Sequence, residues 1–278
     1  MSDWKEYKLG EVAEIIPGFA FKSKDFGPKG ELVVKIKDII PPYIDLSDSD
    51  HVDLTNYDMD KLKKYLLSDG DYAVAMTGAT IGKVGKMKTH QKAYLNQRVA
   101  KIKAKDGFCD GFVYYSINGD DFQTFIQNNI DSNSAQENIS ANSIARFPVM
   151  LPSLEIQHRI ASILTSLDDK IDLLRHENAT LEAMAETLFR QWFVVEAKEE
   201  WEEILITELF EVKDGTHDSP KPQEFGHKLI TSKYIHNNSI DLNGAYNISD
   251  TDFTNINKRS KVDTNDILFS MIGTIGLI

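Results

Sequence analysis

The chain has 278 residues, with 31 lysines and arginines against 43 aspartates and glutamates, a net charge of −12 and a single cysteine. Its 41% hydrophobic content excludes an acidic disordered tail, and the lone Cys109 excludes a disulfide framework and a cysteine-built zinc site. No stretch approaches the roughly 18 consecutive apolar residues of a membrane span, so a cytoplasmic protein of two folding units is expected.

The charge is unevenly placed. Residues 1–150 carry 19 basic and 21 acidic side chains, residues 151–203 carry 5 and 12, and residues 204–278 carry 7 and 10. Trp4-Lys5-Glu6 and Leu9 open the first segment, in which the apolar runs Leu32–Ile36, Tyr72–Met76 and Val99–Ile102 are short, bounded by turn residues and read as strands. Asp50–Leu67 is open between helix and loop. Gly78-Ala-Thr-Ile-Gly82 reads as a tight turn whose glycines supply positive φ. From Lys83 to Lys105 there are eight basic residues and no acid, which makes an anion-binding stretch. Phe122–Asn129 is a short helix candidate.

Pro152 and Ser153 then start a long helix, with Ser153 as N-cap and Glu155 in the positive first turn. Its run to Phe193 gives about 40 residues, or about 60 Å at 1.5 Å per residue. Ile160, Leu167, Leu174, Leu181 and Leu188 recur every seven residues, and Leu164, Ile171, Asn178, Ala185 and Trp192 fill the complementary seam. This is a coiled-coil heptad in which Asn178 sets register at some cost in stability. A helix buried on one face of an ordinary domain is the alternative.

Beyond the helix the sequence starts again. Trp201-Glu202-Glu203 with Ile206 echoes Trp4-Lys5-Glu6 with Leu9, and Asp266 to Gly276 echoes Asp71 to Gly82 with one residue deleted. The apolar run Ile267–Met271 is accordingly a second-copy strand. The first copy continues for 70 residues past Gly82 to Pro152, whereas Gly276 is followed by Leu277 and Ile278. A second domain cut short is expected, the chain being a fragment, a truncated product or half of something that another chain completes.

Three motifs suggest catalysis and fail on chemistry. Pro41-Pro42-Tyr43 resembles the end of an adenine methyltransferase tetrapeptide, but Ile40 stands where a polar side chain must hold the flipped amino group. Gly78 to Val84 has three residues between its glycines and a valine after Lys83, so it is no phosphate loop. Glu211-Val212-Lys213 lacks the upstream aspartate that a nuclease metal site needs, and His217, His227 and His236 lack metal-ligand spacing. What remains is recognition. Asn96 and Gln97 suit adenine edges and Arg98 guanine, while Lys83, Lys86, Lys88, Lys92 and Lys101 suit phosphates. A solvated basic strand with a structural Asn-Gln pair is the plainer alternative. In the second copy the polar turn Asp214–Lys221, with Thr216, His217 and Lys221, is the corresponding candidate.

Taken together, the chain resembles the DNA-specificity subunit of a type I restriction-modification system. The resemblance spans the whole chain. It is carried by Gly18-Phe-Ala-Phe-Lys-Ser23 with Asp25-Phe26, by Gly70 to Gly82, by Leu95-Asn96-Gln97, and by Leu151-Pro-Ser-Leu-Glu-Ile-Gln157 entering the helix that closes at Arg190-Gln-Trp-Phe193. Lys213 to Pro220, Ile230-Thr-Ser-Lys233 and Asp266 to Gly276 carry it in the second copy. The fold implied is mixed α+β (α/β): a target-recognition domain at 1–152, a spacer helix at 153–198 and a partial second target-recognition domain at 199–278. The resemblance implies reading of double-stranded DNA by a subunit with no catalysis of its own. It also implies methyltransferase subunits docked on the helix and a motor-nuclease subunit. S-adenosylmethionine, ATP and Mg2+ would belong to those partners. With no second long helix in the chain, the exposed seam Ile160 to Trp192 is expected to pair two copies as a homodimer. The rival readings are a stored or non-functional truncated cassette, a coiled-coil adaptor without DNA affinity, and an autonomous methyltransferase. A leucine-zipper factor is excluded because Arg146-Phe-Pro148 and Pro152 break the basic helix it requires.

Overall fold

Residues 71–76 read Asp-Tyr-Ala-Val-Ala-Met, and that alternation organises the first half of the molecule. In the computed structural model, which describes residues 4–130, 137–198, 200–236 and 239–278, Tyr72, Val74 and Met76 face one core while Ala73 and Ala75 face another. Side chains alternate across a strand, so the large residues meet a layer of helices and the alanines let a second sheet approach closely.

The described residues form two compact units divided between Leu188 and Phe189. The first runs β1 (Lys5–Lys8), α1 (Leu9–Val12), β2 (Ala13–Pro17), β3 (Phe26–Gly27), β4 (Glu31–Val34), β5 (Ile39–Ile40), β6 (Tyr43–Ile44), β7 (Asp50–Val52), α2 (Met59–Leu62), β8 (Leu66–Leu67) and β9 (Tyr72–Ala75). It continues with β10 (Val84–Lys86), β11 (Ala93–Leu95), β12 (Val99–Ala104), α3 (Asp110–Ser116), α4 (Asp120–Asn128), α5 (Ala141–Ile144), β13 (Pro148–Leu151) and α6 (Leu154–Arg190). A six-stranded sheet has the order β2-β12-β9-β10-β6-β5, a five-stranded sheet the order β3-β7-β4-β11-β8, and β1 pairs with β13. The expected helix at 122–129 is α4, and the open segment 50–67 resolves into β7, α2, a 3-10 turn and β8.

Three cores follow from this layering. Phe112, Val113, Phe122, Ile126 and Ile144 of the helices close over Tyr72, Val74 and Ile102. Val34, Leu67, Met87, Leu95 and Val99 pack with Ala73 and Ala75 between the sheets, and Phe21, Val33, Val52, Leu62 and Tyr94 cover the outer face of the five-stranded sheet. Adjacent Val33 and Val34 thus serve different cores, each fully buried side chain contributing about 1.5–3 kcal/mol.

The helix starts where the sequence puts it. The carbonyl of Ser153 accepts from Gln157 N at 2.9 Å, and the 37 residues of α6 run on as a π-helical turn, Gln191–Val195. Its first turns bury Gln157 and Ala161, and Ile160 packs on the first core. The Gln157 amide, 3% exposed, is satisfied at both ends: Cys109 N donates to its Oε1 at 3.1 Å and its Nε2 donates to the Pro152 carbonyl at 2.9 Å. Ile160 and Leu164 are half-buried, whereas Leu167, Ile171, Leu174, Leu181, Leu188 and Trp192 are exposed, Leu181 by 62%. Asn178 and Ala185 share that exposed seam.

The second unit holds α7 (Ile206–Leu209), β14 (His227–Lys228), β15 (Ile235–His236), β16 (Ser239–Ile240), β17 (Asn247–Ile248) and α8 (Asp250–Ser260). Its hydrogen bonding repeats that of the first. His227 pairs with Ile248 and Lys228 with Asn247, as Glu31 pairs with Val52 and Leu32 with His51, 196 positions earlier. Ile235 faces Ile240 as Ile39 faces Ile44. Gly226 and Gly30 both have positive φ, 140° and 133°, and in each a Cβ would fall within 2.3 Å of the facing carbonyl, Ile248 or Val52. Ser68 N donates to Asp71 Oδ2 at 2.8 Å, and Asp263 N to Asp266 Oδ2 at 2.8 Å. Gly82 N meets Ala75 O at 2.8 Å, and Gly276 N meets Ser270 O at 2.9 Å.

One expected strand is absent. Residues 267–271 form no ladder, although they occupy the place of β9. β9 is held by β10 on one side and β12 on the other, and among the described residues no strand flanks 267–271. Without a flanking strand the segment forms no ladder, and Ser270 N donates instead to Leu277 O at 2.9 Å.

Candidate nucleic-acid interface

Five loops of the first unit converge at the end of β9 where the chain leaves Ala75. Ala75 N donates to Lys83 O at 2.9 Å and Met76 N to Arg98 O at 2.9 Å, while Met76 O accepts from Ile139 N at 2.9 Å. Gly18 N reaches Val99 O and Phe19 N reaches Leu95 O, each at 2.8 Å, and Thr80 Oγ1 donates to Ile36 O at 3.3 Å. Gly18 is required there, because a Cβ would stand 2.1 Å from the Asn96 carbonyl. The turn Gly78–Thr80 carries positive φ at Gly78 (73°), and Gly82 has φ 80°, as that glycine spacing predicts.

Of the residues singled out in the sequence, this end gathers Lys83, Asn96, Gln97 and Arg98. Lys83, Gln97 and Arg98 are exposed and Asn96 is half-buried, its carbonyl closing the turn onto Val99 N at 3.0 Å. That turn joins β11 of one sheet to β12 of the other, so both sheets fix its position. Lys22 and Ser23 lie on the adjoining Gly18–Ser23 loop, with Lys22 N held by the Tyr57 hydroxyl at 3.1 Å. Sequence reasoning passed over Lys22 and exposed Lys24, although the glycine that presses this loop onto Asn96 was the signal for them.

The other lysines are deployed elsewhere. Lys101 is 8% exposed and donates to Asp71 Oδ2 at 2.6 Å and to Leu66 O at 3.3 Å, an internal pair that is closed to a phosphate. Lys88 pairs with Asp172 and, at 3.1 Å, with Asp169 of α6. Lys86 lies over the Tyr114 ring at 5.4 Å. Lys86 and Lys88 therefore stand at the opposite end of β10 from Lys83, facing the helix. Exposed Lys92 precedes β11, again away from the loop end. Opposite strand ends separate Lys83 from Lys86, Lys88 and Lys92, and alternation along β12 turns Lys101 inward, although the linear basic run placed them together.

In the second unit Thr216 Oγ1 accepts from Asp218 N at 3.1 Å, and Ser260 Oγ bonds Asp214 O at 2.9 Å, seating the 214–221 turn beside α8. His217 and Lys221 are exposed on it. Lys233 lies 5.4 Å over the Tyr234 ring, in the 3-10 turn that corresponds to Ile36–Asp38.

Among the described residues no group of three His, Cys, Asp or Glu side chains is placed to hold a metal, and no helix is long and apolar enough to cross a membrane. Two packed sheets that carry a polar loop cluster at one end and a long helix at the other define a recognition domain. The chain belongs to the type I restriction modification DNA specificity domain family, whose model matches residues 1–183. It is 27% identical to the EcoBI specificity subunit of Escherichia coli over 99% of this chain and 61% of that protein. It is 43% identical over 56 residues to the HindI specificity subunit of Haemophilus influenzae, covering 20% of this chain and 12% of that one. The chain thus spans about three fifths of the E. coli relative's length. A crystal structure of a type I restriction-modification S subunit from M. genitalium shares the fold, with TM-score 0.54 and 16% identity over 89% of this chain and 63% of that one.

Proposed function

We propose that this chain reads double-stranded DNA as the specificity component of a type I restriction-modification assembly. The loop end of the first unit supplies the contacts. Lys83 holds a phosphate and Asn96, Gln97 and Arg98 face base edges. The second unit's 214–221 turn and Lys233 serve the other half of a bipartite site. The observation that carries this reading is the convergence of Lys83, Gln97 and Arg98 on one end of a unit matched by a DNA-specificity family model.

In this reading the chain performs no chemistry. Adenine methylation with S-adenosylmethionine belongs to methyltransferase subunits docked along α6, and ATP- and Mg2+-dependent translocation and cleavage belong to a motor-nuclease subunit. All of these act in the cytoplasm, where the DNA is. The apolar seam from Leu167 to Trp192 pairs two copies, because a row of exposed leucines at heptad spacing is stabilised by a second such row.

The test is co-expression with the methyltransferase partner, co-purification, and methylation sequencing of the host DNA. A methylated bipartite adenine motif is the expected result, and a palindromic one follows from pairing of two copies. Stable association without any methylation, or no association, overturns the reading.

A further inference from the structure

Beyond Ala161 a row of polar side chains on the helix meets the rest of the first unit. Thr165, Asp168, Asp169 and Asp172 lie three and four residues apart, hence on one face of α6. The Tyr115 hydroxyl, from α3, donates to Asp168 Oδ2 at 2.7 Å. The Tyr43 hydroxyl, from β6, donates to Asp172, and the Lys88 ammonium, just past β10, donates to Asp172 and Asp169. Three elements thus grip one face of the helix. Beneath the grip a cavity of about 250 Å³ remains between Tyr43, Lys86, Tyr114 and Asp168. The contact is therefore not packed flush.

We infer that Tyr43, Lys88 and Tyr115, closing on Asp168, Asp169 and Asp172, are positioning residues that fix the angle of the long helix to the recognition loops and so set the half-site spacing that the assembly accepts. This rests on the DNA-reading function proposed above. The lever is long: from Asp172 to Arg190 the helix runs another 18 residues, about 27 Å at 1.5 Å per residue. A tilt of about 10° moves its far end by about 5 Å, more than the roughly 3.4 Å rise of one base pair. At the near end, three-residue β10 links Lys88 to Lys83 within the same sheet. The clasp and the reading end are joined by one short strand.

The test uses the full chain with Cys109→Ser and spin labels at Ala79→Cys in the loop cluster and Glu182→Cys on the helix. Lys88→Glu is expected to at least double the width of the label distance distribution, and Lys88→Glu with Asp172→Lys to narrow it again. Without labels, in cells that also make the methyltransferase partner, Lys88→Glu is expected to leave both half-site sequences of the methylated motif intact. It should add sites whose spacer is one base pair longer or shorter. An unchanged width in both Lys88→Glu and Tyr43→Phe overturns the clasp, and a broadened width with a single spacer overturns its role in spacing. If the unaltered chain directs no methylation, the DNA reading falls, and the distance measurement still decides the clasp.

Discussion

Lys101 of β12 pairs at 2.6 Å with Asp71, the residue before β9, the two side chains being 10% and 20% exposed. A pair this enclosed holds the start of β9 against its neighbour, and removing one partner strands the other charge in a low-dielectric interior. Lys101→Met is expected to destabilise the fold by about 3 kcal/mol. The check is a lower urea midpoint at unchanged slope, together with an unchanged salt dependence of DNA binding by the protein that remains folded.

Lys83 makes the opposite prediction. Lys83→Ala is expected to leave stability within about 0.5 kcal/mol and to lower the slope of log affinity against log salt by about 0.9, the contribution of one phosphate contact. Gln97→Ala and Arg98→Ala are each expected to cost about 1–3 kcal/mol at a single base position. Anisotropy titrations of the assembled complex with single-position variants of its site measure both.

The paired glycines give a test of the internal repeat. Gly30→Ala and Gly226→Ala each place a Cβ against a facing carbonyl at a φ that side chains rarely adopt. Each is expected to cost at least about 2 kcal/mol, raising amide exchange about 30-fold, in β4 and β7 for the first and in β14 and β17 for the second. Exchange mass spectrometry resolves the two regions.

The clasp carries a pH signature. Burial pushes the Asp172 carboxyl up, but hydrogen bonds from Lys88 and Tyr43 outweigh it and hold the group below the usual carboxylate range. Burial, helped by the bond to Asp172, pushes the Tyr43 hydroxyl up to about 12, and the hydrogen bond to Asp172 holds the Lys88 ammonium above its ordinary value. A depressed carboxylate stabilises above its unfolded value near 4 and loses that contribution as pH falls through the folded one. Raised tyrosine and lysine groups stabilise below about 10 and lose it as pH climbs through theirs. The label distance between positions 79 and 182 is expected to be constant from pH 5 to about 9 and to broaden below about pH 4.

The seam makes the last prediction. Leu174→Asn with Leu181→Asn alters only exposed positions of α6, so the chain is expected to keep its fold while its light-scattering mass falls from two copies to one. An unaltered chain that already scatters as one copy at micromolar concentration defeats the pairing.

Much of this molecule was legible because its signals are local. The heptad from Ile160 to Leu188, Ser153 at the helix start and the glycine turn at 78–82 each depend on a few neighbouring residues, and each is where it was expected. The basic run was legible only as composition. Lys83 to Lys105 crosses from one sheet to the other: alternation turns Lys101 of β12 inward, Lys88 past the end of β10 meets the helix, and Arg98 in the turn before β12 lies at the loop end. A one-dimensional count of charge cannot see that division, since it depends on which strands become neighbours. Residues 267–271 fail for a related reason. Their apolar pattern suits a strand, but a ladder also needs partners that the pattern does not contain.

The five loops of the reading end leave strands whose buried faces are already committed to three cores, and the side chains that point outward from those loops hold no part of the core in place. Exposed Lys83 and Gln97 can therefore be exchanged one codon at a time without repacking the interior. Under the DNA-reading function proposed here, this separation makes new target sequences accessible through small mutational steps that the fold survives.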